Sequence, residues 1–151
     1  YLYMGNIDAI RDWGHAKDYV EMQWRMLQQE NPDEYVVATG RQESVRNFIE
    51  LSAKKLGWGG INWEGSGLKE VGRRCDTNKV VVKVDKRYFR PSEVDSLLGD
   101  STKARKKLGW EPKITLEELV SEMIENDQEI ALQKSILKRH GFKINSNNID
   151  N

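Results

Sequence analysis

Cysteine, histidine, proline and net charge are all scarce in this sequence. Cys75 is the one cysteine among 151 residues, so no disulfide can form within the chain, and the composition suits a reducing cytoplasm. His15 and His140 lie far apart, and with a single cysteine there is no ligand cluster for a metal. Three prolines and twelve glycines exclude a collagenous or low-complexity chain. Twenty-four basic and twenty-four acidic residues cancel, which removes any global attraction to nucleic acid or an anionic membrane. No apolar run approaches bilayer length. The opening residues Tyr1-Leu2-Tyr3-Met4 lack the regions of a secretion signal and lack an initiator methionine, so the chain is expected to start in the middle of a fold.

What is present fits an α/β domain with an ordinary core and 38% apolar residues. Tyr1 to Met4 favour strand, and Gly5-Asn6 offers a turn. Ala16, Tyr19, Val20, Trp24 and Leu27 recur at helical spacing, and the pattern ends at Asn31-Pro32. Met22 and Met26 lie on the other side, so this helix is expected to be buried on two faces. Glu34 to Gly40 reads as a short buried strand. A helix is predicted from about Ser44 to Leu56, with Val45, Phe48, Ile49 and Ala53 on one face. Ile61 to Arg74 is glycine-rich, and Lys79 to Asp85 reads as a strand. A helix over Ser101 to Leu108 has Asp100 as its candidate cap, and Thr115-Leu116-Glu117-Glu118 is a capping box opening the last helix. Lys-Lys-Leu-Gly-Trp occurs at both 54–58 and 106–110, where lysines near a helix end and a glycine suited to a left-handed cap account for both copies. The residues after His140 read as a frayed tail. The two earliest strands have no evident neighbours.

The charges are segregated. Eight basic residues face three acidic ones between Lys69 and Arg90, whereas seven acidic residues face Lys113 alone between Glu111 and Glu129. Two solvated faces explain this, and self-association through them is an alternative.

Several chemical motifs fail. Gly65-Ser66-Gly67-Leu68-Lys69-Glu70 begins like a dinucleotide loop, but Glu70 replaces the third glycine. No hydrolase triad stands out, and Lys103, Arg105, Lys106 and Lys107 lack the interleaved aromatics of an RNA platform. Two segments remain. Met4-Gly5-Asn6 precedes Arg11-Asp12-Trp13, where an arginine fork suits phosphate oxygens and a glycine admits a ligand to the backbone. A local Arg11–Asp12 interaction beside a helix cap is the structural alternative. Arg90-Pro91-Ser92-Glu93 couples a cation to a carboxylate that suits vicinal ribose hydroxyls or guanine N–H donors. A capped turn with a local ion pair is the alternative there.

The run Met4-Gly5-Asn6-Ile7-Asp8-Ala9-Ile10-Arg11-Asp12-Trp13-Gly14-His15-Ala16-Lys17-Asp18-Tyr19-Val20-Glu21 resembles the GDP-mannose 4,6-dehydratase family of the extended short-chain dehydrogenase/reductase superfamily. Val37-Ala38-Thr39-Gly40, Ser44-Val45-Arg46, Val84-Asp85, Arg87 to Val94 and Gly99 to Ala104 resemble the same family in the same order, and the likeness runs from Tyr1 to about Leu132. An Arg-Asp-aromatic motif occurs in many sugar-nucleotide enzymes, but Trp-Gly-His-Ala-Lys-Asp-Tyr and Arg-Tyr-Phe-Arg-Pro are far more specific.

The resemblance implies the C-terminal part of a Rossmann-type fold. Residues 1–40 would pack with an NADP-binding domain, 41–140 would form a GDP-sugar-binding domain, and 141–151 would be a flexible tail. Met4, Gly5 and Asn6 would flank the nucleotide, Arg11 and Arg90 would meet the diphosphate, and Glu93 would fix ribose or base. The family converts GDP-mannose to GDP-4-keto-6-deoxymannose, with hydride passing from C4 to NADP and back to C6 and water leaving across C5 and C6. The complete protein would be a cytoplasmic homo-oligomer with no nucleic-acid or membrane partner. The family's glycine loop, Thr and Glu pair and Tyr-x-x-x-Lys motif are not found in this sequence, so no catalytic or cofactor-binding residue is assigned and the chain alone is expected to be inactive. Alternatives are another GDP-sugar dehydratase, epimerase or reductase, or a non-catalytic nucleotide-binding module.

Overall fold

The computed structural model describes residues 1–90 and 98–142. Among the described residues ten regular elements follow one another: β1 (Leu2–Met4), β2 (Ile10–Arg11), α1 (Ala16–Leu27), β3 (Glu43–Ser44), α2 (Val45–Lys55), β4 (Ile61–Glu64), β5 (Val71–Arg74), β6 (Val80–Val84), α3 (Thr102–Leu108) and α4 (Leu116–Arg139). Short 3-10 turns at Gly67–Lys69 and Lys86–Tyr88 follow β4 and β6.

The main sheet has the order β1-β6-β5-β4. β4, β5 and β6 form an antiparallel meander, with Trp63 opposite Gly72 and Gly72 opposite Val82. A Cβ on Gly72 would lie 2.9 Å from both Ile61 and Trp63, so a bare backbone lets the larger side chains close over it. The glycine-rich stretch therefore holds a hairpin that composition alone does not announce. β1 joins β6 in parallel, with Leu2, Tyr3 and Met4 opposite Val82, Lys83 and Val84. This corrects the expectation that the first strand has no neighbour, because the ladder partner lies about eighty residues away in sequence.

The helices form where capping and periodicity place them. Ser44 caps α2 by accepting from the Asn47 amide, and Thr115 and Glu118 form the reciprocal capping box of α4. Gly57 and Gly109 take the left-handed conformation after α2 and α3, at φ 77° and 59°. Asp100 accepts from the Thr102 amide, with Ser101 at the cap position itself.

Two apolar clusters organise the chain. Ile7, Ile49, Ala53, Ile61 and Val82 pack between the main sheet and α2. Met22, Ala104 and Trp110 form the second, joined by Tyr19, Met26, Tyr35, Val37 and Leu108. The second cluster covers one of the two apolar faces of α1. Its buried side carries Met22, whereas Val20, Trp24 and Leu27 are 61%, 61% and 81% exposed, so among the described residues only one face of the helix is covered.

The predicted strand at 34–40 is also corrected. Those residues join no ladder. Ala38 is buried, and a Cβ on Gly99 would lie 2.4 Å from its methyl group. The amides of Thr39 and Gly40 donate to Asp12 rather than to a strand. A side-chain carboxylate thus satisfies backbone donors that a sheet would otherwise pair.

Candidate functional site

The end of β1 is locked to the turn after β6. The Asp85 amide donates to the Met4 carbonyl at 2.8 Å, extending the parallel ladder by one bond. A Cβ on Gly5 would sit 2.1 Å from the Tyr88 carbonyl oxygen, inside contact distance, so glycine is required by this close approach. Asp85 caps the turn, its carboxylate accepting from the Arg87 amide at 2.9 Å and the Arg87 guanidinium at 2.7 Å. Those bonds hold the Asp85 carboxyl below its ordinary value. Met4 and Gly5 are thereby brought beside Tyr88 and Phe89, and the exposed Arg90 follows directly. Glu93 lies outside the described residues, as do Pro91 and Ser92.

The segment from Asn6 to Arg11 is held by side chains. Asn6 Oδ1 accepts from the Asp8 amide at 3.0 Å, closing a local turn. Ile7 and Ala9 are buried, and their carbonyls accept from Arg46 and Val45 at the start of α2. Arg46 grips Asp8 with two nitrogens and Glu70 with a third, at 2.7 Å, while its guanidinium lies 4.6 Å from the Trp63 ring. Hydrogen bonds to Asp8 and Glu70 raise Arg46 above the ordinary arginine value, and the same bond lowers the Asp8 carboxyl. This cluster ties the segment to α2 and the β4–β5 hairpin at once.

Arg11 sits on β2, opposite Glu43 in the antiparallel pair with β3, and its Nη1 donates to the Ile10 carbonyl at 2.7 Å. It belongs to a different sheet from Met4, so the residues expected to form one clamp fall on two frameworks joined by the Asn6–Ala9 turn. Asp12 directs its carboxylate at residues 39–40, accepting from the Thr39 amide at 3.0 Å, the Thr39 hydroxyl at 2.6 Å and the Gly40 amide at 3.0 Å.

The Trp-Gly-His-Ala-Lys-Asp-Tyr segment is built for position. Trp13 donates to the Glu43 carbonyl and packs 4.7 Å from the Phe48 ring. A Cβ on Gly14 would collide with the Tyr19 ring. Burial, then the Asp12 and Asp18 carboxylates, raise the Tyr19 hydroxyl above its ordinary value. Buried His15 caps α1, its Nδ1 accepting from the Lys17 amide at 3.0 Å. Buried Asp18 accepts from the amides of Lys113 and Ile114 at 3.0 and 2.9 Å, and its own carbonyl accepts from Trp110 Nε1 at 2.9 Å.

Asp8, Arg46 and Asp18 are the positioning residues that sequence reasoning passed over. Each partner is remote along the chain, and only the charge type at these positions hinted at a role. A cleft of about 410 Å³ is lined by Trp13, Arg41, Arg105, Lys113 and Thr115 among others, and includes none of Met4, Gly5, Asn6, Arg11 or Arg90. Among the described residues no group of three or more His, Cys, Asp or Glu could hold a metal ion, and no helix is long and apolar enough to cross a membrane.

The fold is similar to parts of solved structures. RMD from Pseudomonas aeruginosa, solved with NADPH, superposes with a TM-score of 0.60 at 21% identity over 82% of this chain and 34% of its own. UDP-glucose 4-epimerase from Thermotoga maritima, solved with UDP-glucose, gives 0.63 at 23% identity over 86% of this chain and 35% of its own. The architecture is thus that of about a third of the larger α/β fold of these two proteins. A family model described as GDP-mannose 4,6 dehydratase matches residues 1–123. GDP-mannose 4,6-dehydratase of Vibrio cholerae is 52% identical over 153 residues, covering 95% of this chain and 41% of the relative. The human GDP-mannose 4,6 dehydratase is 54% identical over 127 residues, covering 84% of this chain and 34% of the relative. The chain belongs to the GDP-mannose 4,6-dehydratase family, and it spans about two-fifths of the length of the Vibrio relative.

Proposed function

We propose that this chain supplies the nucleotide-sugar-binding portion of a GDP-mannose 4,6-dehydratase, the enzyme that converts GDP-mannose to GDP-4-keto-6-deoxymannose. In this role Met4, Gly5 and Asn6 flank the nucleotide, Arg11 and Arg90 bind the diphosphate, and Glu93 accepts from ribose or guanine. The observation that carries the proposal is the junction of Gly5 with Tyr88, because it draws the Met4–Gly5 strand end to the chain leading into Arg90. An exposed arginine beside a side-chain-free backbone suits a diphosphate with its nucleoside laid along the strand. The complete enzyme is proposed to be a cytoplasmic homo-oligomer that uses NADP.

Gly65 and Gly67 do not form a dinucleotide phosphate loop. They belong to the connection between two antiparallel strands and lead into a 3-10 turn, not to the N-terminus of an α-helix following a parallel strand. Cofactor binding and proton transfer are therefore no part of the role proposed for this chain, which is to bind and orient the nucleotide sugar.

Steady-state kinetics on the complete enzyme test this. Arg11→Ala and Arg90→Ala should each raise KM for GDP-mannose roughly tenfold to a hundredfold, as expected on losing a charge-assisted phosphate contact. Unchanged KM in both variants would overturn the clamp, and turnover of GDP-mannose by this chain alone with NADP would overturn the division of labour.

A further inference from the structure

Arg11 stands on a ladder too short to hold itself. β2 and β3 contribute two residues each, Ile10 opposite Ser44 and Arg11 opposite Glu43, and among the described residues neither strand pairs with another. An isolated pair of strands is marginal in water even at greater length. The direction in which Arg11 leaves the chain is therefore set by what grips its neighbours. Upstream, the Ile7 and Ala9 carbonyls accept from the start of α2. Downstream, the grip is on Asp12.

Both oxygens of the Asp12 carboxylate are engaged. Oδ1 accepts from the Thr39 amide at 3.0 Å and the Thr39 hydroxyl at 2.6 Å, and Oδ2 accepts from the Gly40 amide at 3.0 Å. Gly40 takes φ 76°, a left-handed conformation that a residue with a side chain rarely adopts. Successive amides in such a turn form a concavity suited to an anion, and Asp12 fills it. The Thr39 hydroxyl also accepts from the Arg41 amide at 3.1 Å, which leaves its hydrogen for Asp12. The receiving segment is itself anchored, since Tyr35 and Val37 pack on the Met22–Ala104–Trp110 cluster and Ala38 is buried.

A carboxylate held by three bonds removes rotation from the residue next to Arg11. A guanidinium aimed in advance loses less freedom on meeting a phosphate and binds it more tightly. We propose that Asp12 and Thr39 are positioning residues for Arg11, acting through its guanidinium and not on the substrate itself. The inference rests on the diphosphate role of Arg11.

The test measures kcat and KM for GDP-mannose, and GDP binding by titration calorimetry, on the complete enzyme. Thr39→Val removes one hydroxyl at nearly constant shape and should raise KM roughly threefold to tenfold, with kcat within about twofold of parental. GDP should weaken by the same factor, because it carries the diphosphate without the sugar. Thr39→Ser keeps the hydroxyl and should restore both values. Asp12→Asn sets a side-chain N–H against one of the donors and should act in the same direction. Combination with Arg11→Ala separates positioning from a general loss of structure. Once the guanidinium is gone there is nothing left to aim, so Thr39→Val should then add less than about twofold. If Thr39→Val does not fold, Asp12→Asn in the Arg11→Ala background makes the same comparison. An undiminished effect in that background, parental KM and GDP affinity in both Thr39→Val and Asp12→Asn, or a loss carried by kcat would each overturn the positioning role and leave the clamp intact. Parental KM in Arg11→Ala itself would take Arg11 out of the clamp, and this inference with it.

Discussion

Arg46 reaches from the first turn of α2 to Asp8, with Nε 2.7 Å from Oδ1 and Nη2 3.1 Å from Oδ2. The bidentate grip matters because Asp8 sits midway along the turn joining the strand end at Met4 to Arg11 on the second sheet. The remaining nitrogen, Nη1, holds Glu70, whose side chain is only 10% exposed. Arg46→Met should therefore leave a largely buried carboxylate without its cation and cost about 1–3 kcal/mol in denaturant unfolding. Arg46→Lys keeps the charge but loses the planar fork. In the complete enzyme it should raise KM for GDP-mannose while leaving kcat largely intact, and an equal fall in kcat with unchanged KM would show that Arg46 does not act through the binding segment.

Gly5 offers a sharper test of the junction with Tyr88. A methyl group at this position has no room beside the Tyr88 carbonyl, which belongs to the backbone and cannot rotate away. Gly5→Ala should cost about 1–3 kcal/mol and weaken GDP-mannose binding together with stability. A variant with parental stability and affinity would mean that the strand end and the turn move apart freely.

Asp18 joins α1 to the segment before α4. One carboxylate oxygen, Oδ2, takes two backbone amides, so Asp18→Ala leaves both amides without their acceptor at a site 4% exposed. A loss of about 2–5 kcal/mol is expected, and Asp18→Asn should recover part of it, because its carbonyl oxygen can take the place of Oδ2 without the carboxylate's charge. Urea unfolding of both variants measures the difference. Near-parental stability of Asp18→Ala would assign the hold on residues 113–114 to the burial of Trp110 instead.

Stability should fall in acid. Hydrogen bonds from Arg46, Lys17 and Arg87 hold Asp8, Glu122 and Asp85 below their ordinary values of 3.8, 4.5 and 3.8. The unfolded chain then binds more protons than the folded one as pH drops through this range, so these contacts stabilise fully above the ordinary values and are lost below them. Thermal unfolding should be insensitive to pH between about 6 and 8 on account of these groups and should decline below about pH 4. Their exposure keeps each effect small, and salt should reduce it further.

Local rules made much of this protein legible in its sequence. Ser44, the Thr115–Glu118 box, Gly57 and Gly109 set helix ends through bonds that span only a few residues, and the run Val80–Val84 forms a strand where its composition predicts one. Family membership was equally legible, because it rests on residue identities over most of the chain. Position in space was not. The burial of α1 on its Met22 side depends on Ala104 and Trp110 more than eighty residues away, and periodicity could not choose between its two apolar faces. The 34–40 segment has the composition of a strand, but Asp12 takes the amides of Thr39 and Gly40 and the segment joins no ladder among the described residues. β1 gained its partner only when the β4–β5–β6 meander brought β6 to its edge. The sequence by itself determined the helix caps, the strands at Leu2–Met4 and Val80–Val84, and the residues proposed for a nucleotide-sugar clamp. Tertiary structure alone decided which of those residues share a framework, because long-range hydrogen bonds and burial, not local propensity, join Gly5 to Tyr88 and Asp8 to Arg46.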